Sequence, residues 1–181
     1  MKLVLEPLPG LKLLEPTVFE DSRGYFFESF SARVFKELGI EDRFIQDNQS
    51  MSAQKGVLRG LHFQNTPHTQ SKLVRVIQGS VLDVVVDLRK ESGSYGVQKS
   101  FVLDDKSRQL LYVPKGFAHG FLTLEANTLF SYKCSDFYNK DSEVSIQWND
   151  PDLDIPWDVE NPILSDKDRK AMSFKDFVSP F

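Results

Sequence analysis

The sequence predicts an all-β domain, either a sandwich or a barrel, with a few short helices. Fifteen Phe, five Tyr and two Trp are spread among Val and Ile, and ten Gly and nine Pro separate the apolar runs. These runs are short, and no long stretch repeats with the 3.6-residue period of an amphipathic helix. Many short strands between turn signals are typical of antiparallel sandwiches and barrels.

The clearest predicted strand covers residues 80–88. Alternation places Asp83 and Asp87 on the same face as Val81 and Val85. That face is either solvated or the interior of a barrel with a polar pocket, and the pattern allows both. The other predicted strands cover residues 24–30, 44–51, 57–64, 72–77, 97–103, 109–113, 117–124, 128–134 and 143–148, and Gln78-Gly79-Ser80 between two of them predicts a hairpin turn.

Two short helices complete the predicted elements. Ser31 can cap a helix over residues 32–38, with Gly39 as a left-handed stop. Ser165 can cap a second helix that opens with Asp166. The polar, proline-spaced stretch 151–162 predicts a surface excursion. Because no repeat, linker or low-complexity tract interrupts the pattern, residues 1–181 are predicted to form a single domain.

The composition excludes several classes of protein. The 22 Lys and Arg against 26 Asp and Glu give a formal net charge of −4, so the chain lacks the electrostatic footprint for duplex nucleic acid or an anionic membrane. The single cysteine, Cys134, excludes an intramolecular disulfide and a cysteine-built zinc site. No run approaches the ~20 apolar residues of a membrane span. Residues 1–7 contain an acid and a proline too early for a secretory signal. A cytoplasmic protein is therefore expected.

The three histidines are the first candidates for chemistry near neutral pH. His68 lies in a turn-like polar stretch, whereas His62 and His119 lie in predicted strands. A strand histidine is more often structural, and the functional alternative is a general base. Strict alternation places Arg59 and His62 on opposite faces of their strand. Both can serve one site only if the chain slips by one residue, and Gly60 is the favourable position for such a bulge.

Two further residues have both a structural and a functional interpretation. Tyr132 in a strand usually packs in the core with its hydroxyl satisfied, but it is also a weak acid that can deliver a proton. Asp168 occupies the third helical position after Ser165, where an acid completes a capping box. Only a histidine from a distant part of the sequence would give Asp168 a catalytic role. No Walker, Gly-x-Gly-x-x-Gly or Gly-x-Ser-x-Gly motif is present.

One motif, Pro114-x-Gly116-x-x-His119, resembles the second motif of the cupin jelly rolls. Metal-binding cupins also have a His-x-His pair on an earlier strand, but the corresponding residues here are His62-Phe63-Gln64. A histidine-rich metal cage therefore cannot be assembled, and no metal is expected.

Taken together, the motifs resemble the dTDP-4-dehydrorhamnose 3,5-epimerase family. They occur in the family's order from about residue 17 to residue 170, and they include Arg59-Gly60-Leu61-His62. The resemblance implies a cupin-type jelly roll. The segments that carry it are 21–29, 44–48, 57–64, 72–75, 83–87, 114–121, 132–133, 148–150 and 164–168.

The resemblance also implies a reaction. Members of that family act on a dTDP-linked 4-keto-6-deoxyhexose, in which the hydrogens on C3 and C5 are α to the C4 carbonyl. By this resemblance His62 is the base, Asp168 its partner and Tyr132 the acid on the opposite face of the sugar. Lys72 matches the lysine that stabilises the oxyanion at C4. One base and one acid suffice, so no cofactor is expected.

Further positions match the family's contacts to the dTDP portion and its dimer. Arg59 would meet phosphate as a planar fork, and Tyr138 falls where the family stacks an aromatic ring on thymine. The other matching positions are Arg23, Glu28, Gln46, Asp47, Asn48, His119, Glu143 and Lys167. Family members are homodimers in which an N-terminal strand pair can cross to the partner, and the same is expected here.

Two alternatives to a dual epimerase stay open. A single-centre epimerase, acting at C3 or C5 alone, would keep the same acid and base. A catalytically silent cupin that binds a nucleotide sugar would need the phosphate contacts but not the acid and base. The loop 64–71 departs from the family pattern, with Ser71 where glycine is expected, which bears on the choice among related 4-keto sugars.

Overall fold

The computed structural model describes residues 1–181 as two antiparallel sheets packed face to face, with a separate hairpin and two short helices. The strands are β1 (Lys2–Leu8), β2 (Leu11–Glu15), β3 (Phe19–Asp21), β4 (Gly24–Phe26), β5 (Gln46–Ser52), β6 (Leu58–Gln64), β7 (Lys72–Gln78), β8 (Ser80–Asp87), β9 (Gln98–Asp104), β10 (Leu110–Val113), β11 (Phe117–Thr123), β12 (Thr128–Cys134) and β13 (Glu143–Ser145). The helices are α1 (Ala32–Glu37) and α2 (Asp166–Arg169), and 3-10 turns cover Lys90–Ser92 and Lys140–Ser142. The predicted all-β sandwich with a few short helices is confirmed.

The strand order shows where the chain crosses between the sheets. One sheet has six strands in the order β1-β2-β10-β7-β12-β5, and the other has five in the order β13-β6-β11-β8-β9. Consecutive strands β7 and β8 lie in different sheets, so the hairpin predicted at Gln78-Gly79-Ser80 is wrong. Gly79 makes this corner at a φ of 81°, and a Cβ there would lie 2.6 Å from Thr128 Oγ1. The same glycine conformation serves a hairpin and a corner between sheets, so the local sequence does not distinguish them.

Apolar side chains from both sheets fill the space between them. Val74 and Phe130 come from the six-stranded sheet, and Val85 and Phe121 come from the five-stranded sheet. Asp83 shares a face of β8 with Val85 and is fully buried. That face therefore points to the interior and not to solvent. Of the two alternatives for β8, the interior one is correct.

The outer face of each sheet is covered as well. Phe35 of α1 packs against the six-stranded sheet, whereas Leu153, Trp157 and Phe177 cover the five-stranded sheet. The surface excursion predicted over 151–162 is wrong for Leu153 and Trp157, which are only 4% and 3% exposed. Acids and prolines separate these apolar residues in the sequence. They form a continuous apolar layer in the structure, but no periodic sequence pattern predicts it. The same covering segment continues to α2 and brings it against β6.

The N-terminal part of the chain differs most from the predicted elements. The local pattern predicts neither β1 nor β2, because Pro7 and Gly10 interrupt the run and a proline argues against a strand. Helix α1 is present and Gly39 follows it at a φ of 74°, although Ser31 makes no side-chain capping hydrogen bond. Neither helix is long and apolar enough to cross a membrane.

Candidate active site

A cavity of about 640 Å³ lies between the two sheets, and residues 163–168 form one of its walls. Its polar lining comprises Arg59, His62, His119 and Glu143 from the five-stranded sheet, Ser50, Lys72 and Tyr132 from the six-stranded sheet, and Ser165, Lys167 and Asp168 from the C-terminal segment. A smaller cavity of about 80 Å³ adjoins it and shares His62, Lys72, Tyr132 and Glu143. Groups that can take up or donate protons thus face one space from opposite sheets.

The closest polar contact in the cavity joins His62 to Asp168, 106 residues later in the sequence, with 2.5 Å between Nε2 and Oδ1. Asp168 is 3% exposed. Its second oxygen, Oδ2, accepts a hydrogen bond of 2.7 Å from the Ser165 hydroxyl. The histidine partner that would give Asp168 a role beyond capping is therefore present, and the carboxylate serves the ring and the cap together.

The environment determines which member of the pair holds the proton. Burial lowers the pKa of His62 below its ordinary value, even though Asp168 acts in the opposite direction. Burial alone would raise the pKa of Asp168, but the hydrogen bonds from His62 and Ser165 outweigh it and lower the pKa. The imidazole is consequently neutral beside an ionised carboxylate near neutral pH. Because the Nε2–H donates to Asp168, the Nδ1 lone pair is the basic atom of the ring.

A bulge in β6 allows Arg59 and His62 to line the same cavity. His62 is opposite His119 and Arg59 is opposite Phe121, so three steps along β6 match two steps along β11. Gly60 lies between them at a φ of 132°, and a Cβ there would approach the Gly120 Cα to 2.5 Å. The one-residue slip predicted at Gly60 is thus confirmed, and only glycine fits the resulting backbone.

Lys72 and Tyr132 complete the proposed acid–base set from the other sheet. The Lys72 side chain is half-buried, with His62 O at 3.5 Å from Nζ as its hydrogen-bond acceptor, and burial lowers its pKa. Burial also raises the pKa of the Tyr132 hydroxyl, which keeps it protonated near neutral pH. A cation with little solvation and a protonated phenol therefore face the neutral imidazole.

Two sequence comparisons identify the family of this chain. A family model described as dTDP-4-dehydrorhamnose 3,5-epimerase matches residues 6–176. The chain is 47% identical to the dTDP-4-dehydrorhamnose 3,5-epimerase of Methanothermobacter thermautotrophicus, over 93% of this chain and 91% of the relative. The chain belongs to the dTDP-4-dehydrorhamnose 3,5-epimerase family.

Solved structures of relatives also match the fold closely. The Bacillus anthracis dTDP-4-dehydrorhamnose 3,5-epimerase, with TDP and PPi bound, has a TM-score of 0.94 and 46% identity, covering 95% of this chain and 98% of that one. The Legionella pneumophila dTDP-6-deoxy-D-glucose-3,5-epimerase, in complex with dTDP-4-keto-L-rhamnose, has a TM-score of 0.93 and 45% identity, covering 98% of this chain and 94% of that one. The cupin-like β-sandwich expected of the epimerase family is thereby confirmed.

Most positions that match the family's nucleotide contacts lie at the two cavities. Arg59, His119, Glu143 and Lys167 line the larger cavity, and Gln46, Asn48 and Tyr138 line the smaller one. Glu143 joins two of them, because its carboxylate accepts hydrogen bonds from Lys167 Nζ at 2.7 Å and from the Tyr138 hydroxyl at 3.1 Å.

Three of the matching positions lie away from the cavities within this chain. Arg23 is in the turn between β3 and β4, where its side chain is 87% exposed and pairs with Asp21. Glu28 lines a separate surface pocket of about 220 Å³. Asp47 pairs with Lys133 on the outside of the six-stranded sheet, at 2.9 Å.

The sequence interpretation missed the partner of His119. Nε2 of His119 lies 3.0 and 2.9 Å from the two carboxylate oxygens of Asp83, and burial raises the pKa of Asp83. One of the two alternatives for β8 already placed Asp83 in the interior, where a buried carboxylate needs a partner such as a histidine. Ser50 and Phe130 were also missed, although each lies two residues from a matching position on its strand, Asn48 and Tyr132 respectively, and period-two alternation places each pair on the same face.

Six ionisable side chains at or beside the cavity form three pairs. His62 contacts Asp168, His119 contacts Asp83, and Lys167 contacts Glu143. No group of three or more His, Cys, Asp or Glu side chains is arranged to hold a metal ion.

Proposed function

We propose that this single domain epimerises dTDP-4-dehydro-6-deoxy-D-glucose at C3 and C5, giving dTDP-4-dehydro-L-rhamnose, with His62 as base and Tyr132 as acid. The observation that carries the proposal is that His62 and Tyr132 line one cavity from opposite sheets. Inversion of a carbon requires a proton to leave one face and another to arrive at the opposite face. A sugar ring held between the two sheets meets that requirement.

Each inversion proceeds in two proton transfers. Nδ1 of His62 takes the proton from the carbon α to the C4 ketone, and the electron pair of the C–H bond delocalises to give an enolate. The Tyr132 hydroxyl then protonates that carbon from the other face, and the C4 carbonyl reforms. Solvent restores the Tyr132 proton and removes the extra proton from His62, so atoms and charges balance without an external oxidant or reductant.

Asp168 and Lys72 would lower the energy of the charged intermediate. The Asp168 carboxylate orients the His62 ring and stabilises the imidazolium that forms when the proton is taken. The half-buried Lys72 ammonium supplies positive charge for the oxyanion at C4, where low local solvation strengthens the attraction. Removing a general base or acid typically costs about 10²–10⁴-fold in rate.

The dTDP group would be held by the cations and aromatic ring around the cavities. Arg59 supplies a planar guanidinium for the diphosphate, with His119 and Lys167 nearby on the same lining. Tyr138 is mostly exposed at the rim of the smaller cavity, where its ring can stack on thymine. Gln46, Asn48 and Glu143 supply hydrogen-bonding groups between these positions.

We also propose a homodimer with exchanged N-terminal strands. Strands β3 and β4 pair only with each other, and Phe19, Tyr25 and Phe26 are 63%, 55% and 66% exposed. Such a cluster of exposed aromatic residues is unusual for a monomer. A second copy would cover it and would give Arg23 and Glu28 a route to a partner's cavity. Sedimentation equilibrium tests the dimer, and a monomer at micromolar concentration would contradict it.

The decisive experiment is proton exchange in D₂O with dTDP-4-keto-6-deoxy-D-glucose, followed by NMR at C3 and C5 against the enzyme-free rate. Deuterium at both carbons is the expected result. Deuterium at one carbon only would select the single-centre epimerase. Deuterium at neither, with nucleotide binding shown by calorimetry, would refute the enzyme and favour the silent cupin.

The His62→Ala variant is the matched control for that experiment. Exchange at both carbons should fall to the background rate, because the variant lacks the imidazole that Asp168 orients. Affinity for dTDP should stay close to that of the native chain, since the diphosphate contacts remain. Full retention of exchange would remove His62 as the base.

A further inference from the structure

We propose that Ser165 is a positioning residue of the reaction, which holds the Asp168 carboxylate in the one orientation that presents Oδ1 to His62. The inference rests on the proposed roles of His62 and Asp168. Ser165 also lines the larger cavity, directly beside the pair that it would orient.

Two hydrogen bonds tie Ser165 to Asp168. The Ser165 hydroxyl donates to Oδ2 at 2.7 Å, and the Asp168 backbone N–H donates to Ser165 Oγ at 3.1 Å. The other carboxylate oxygen, Oδ1, is 2.5 Å from His62 Nε2. Each carboxylate oxygen therefore has its own donor, and rotation of the carboxylate breaks both hydrogen bonds at once.

This arrangement matters because little else in the local structure fixes Asp168. Helix α2 has only four residues, and isolated helices of that length are not stable in water. Asp168 is only 3% exposed, so an oxygen that loses its donor has little access to water as a replacement. Without the Ser165 hydroxyl, the orientation that holds His62 loses part of its stabilisation. A rotated carboxylate that no longer contacts His62 then becomes similar to it in free energy.

Loss of that orientation would change the chemistry of the imidazole. With Oδ1 at Nε2, the ring proton is held there and Nδ1 is the base. When the carboxylate rotates away, the proton moves between Nε2 and Nδ1, and the tautomer with Nδ1–H cannot accept a proton at that atom. A wrong tautomer lowers kcat without weakening the contacts that bind the nucleotide.

The chain contains a matched control for the serine. Ser173 and Asp176 repeat the Ser-x-Lys-Asp sequence, with the hydroxyl 2.6 Å from Oδ2 and the backbone N–H 3.2 Å from Oγ. Asp176 is exposed and contacts no histidine ring. Ser173→Ala therefore removes the same two local hydrogen bonds while leaving the His62–Asp168 pair untouched.

The experiment compares Ser165→Ala, Ser165→Thr, Ser165→Asp and Ser173→Ala in the full chain. The assays are deuterium exchange kinetics and ¹⁵N NMR of the imidazoles, in which only three histidines give signals. Ser165→Ala should lower kcat about tenfold, less than loss of the base itself, with KM changed less than twofold. The NMR should show that His62 changes from one Nε2–H tautomer to a mixture. Ser165→Thr, which keeps the hydroxyl, should recover most of the kcat that Ser165→Ala loses, whereas Ser173→Ala should match the native chain.

Ser165→Asp separates positioning from capping. Aspartate is a strong N-cap residue and can accept the Asp168 N–H, but it has no hydroxyl to donate and adds a negative charge beside Oδ2. Its kcat should fall at least as far as that of Ser165→Ala. Native kcat in Ser165→Asp, or an unchanged kcat and tautomer in Ser165→Ala, would overturn the proposal. If Ser165→Ala does not fold, the kcat values of Ser165→Asp and Ser165→Thr test the proposal. A lower kcat in Ser165→Asp than in Ser165→Thr would support it, and equal values would overturn it.

A failure of the proposed function gives a different result. If the native chain exchanges neither C3–H nor C5–H, the epimerase proposal fails. The His62 tautomer then remains a direct readout of positioning, because it is measured without turnover. A mixed tautomer in Ser165→Ala, against a single tautomer in Ser173→Ala, would still support the role of Ser165.

Discussion

Replacing Gly60 with alanine should destabilise the protein and damage the site together, because one glycine permits the bulge that brings Arg59 and His62 into the same cavity. The new Cβ would lie 2.5 Å from Gly120 Cα and 3.0 Å from His119 O. Carbon atoms in contact are normally ~3.5–4.0 Å apart. Since both close neighbours are backbone atoms of β11, no side-chain rotation relieves the overlap, and β6 must move away from β11.

The size of the effect follows from two contributions. A non-glycine residue at a φ of 132° costs about 1–3 kcal/mol of backbone strain. Forcing an extra methyl group into a packed interior costs about 1–3 kcal/mol more. The free energy of unfolding should therefore fall by about 2–6 kcal/mol, a large share of the ~5–15 kcal/mol of a typical domain.

The assay is urea unfolding followed by fluorescence of Trp148 and Trp157, alongside the exchange rate at C3 and C5. Gly56→Ala is the matched control, because Gly56 also has a positive φ, 82°, but a Cβ there would meet nothing within 4 Å. That control should lose about 1–2 kcal/mol from left-handed strain alone. Equal unfolding free energies for the two variants, or native exchange in Gly60→Ala, would refute the reasoning.

Three further predictions concern the acid–base groups. Tyr132→Phe should reduce formation of the inverted product about 10²–10⁴-fold but reduce deuterium exchange much less, because His62 can return a deuteron to the face it came from; equal losses would contradict this division of roles. The pH profile of kcat/KM should be flat near neutrality and fall on acidification through a His62 pKa below its ordinary ~6.5, because protonation removes the base; an acid limb above ~6.5 would show that burial does not dominate. Lys72→Met should lower kcat about 10²–10³-fold, as expected for losing an electrostatic stabiliser of an oxyanion. Urea unfolding should show no loss of stability in that variant, because the half-buried ammonium has only one long hydrogen bond to offset its partial desolvation.

The site shows how far local sequence reasoning extends. Strict alternation would place Arg59 and His62 on opposite faces of β6, so a shared site requires a bulge between them. The structure confirms the bulge at Gly60. The cap formed by Ser165 follows from residue types at a fixed spacing. Both depend on a few neighbouring residues, whose backbone preferences and hydrogen-bonding reach are the same in any fold. The roles proposed for Lys72 and Tyr132 come from the resemblance to the epimerase family and not from local sequence patterns.

Three-dimensional packing decided the rest. Gly79 could form a hairpin only if β8 paired with β7. In the structure β7 pairs instead with β10 and β12, which lie far away in the sequence, so Gly79 turns a corner between the sheets. Asp83 has the alternation of a solvated strand residue, yet it is buried because another sheet covers that face. Trp157 lies between acids and prolines in the sequence, yet it is buried because it packs on the outer face of the five-stranded sheet.

The all-β class, the bulge at Gly60, the cap at Ser165 and the residue types needed for proton transfer can be read from the sequence alone. Those features arise from preferences that act over a few residues. Only the tertiary structure decided that Asp168 meets His62 across 106 residues and that Tyr132 faces them from the other sheet. Such contacts form because burying the apolar faces of both sheets stabilises one global arrangement, and the free energy of that burial is shared by the whole chain rather than encoded in any one segment.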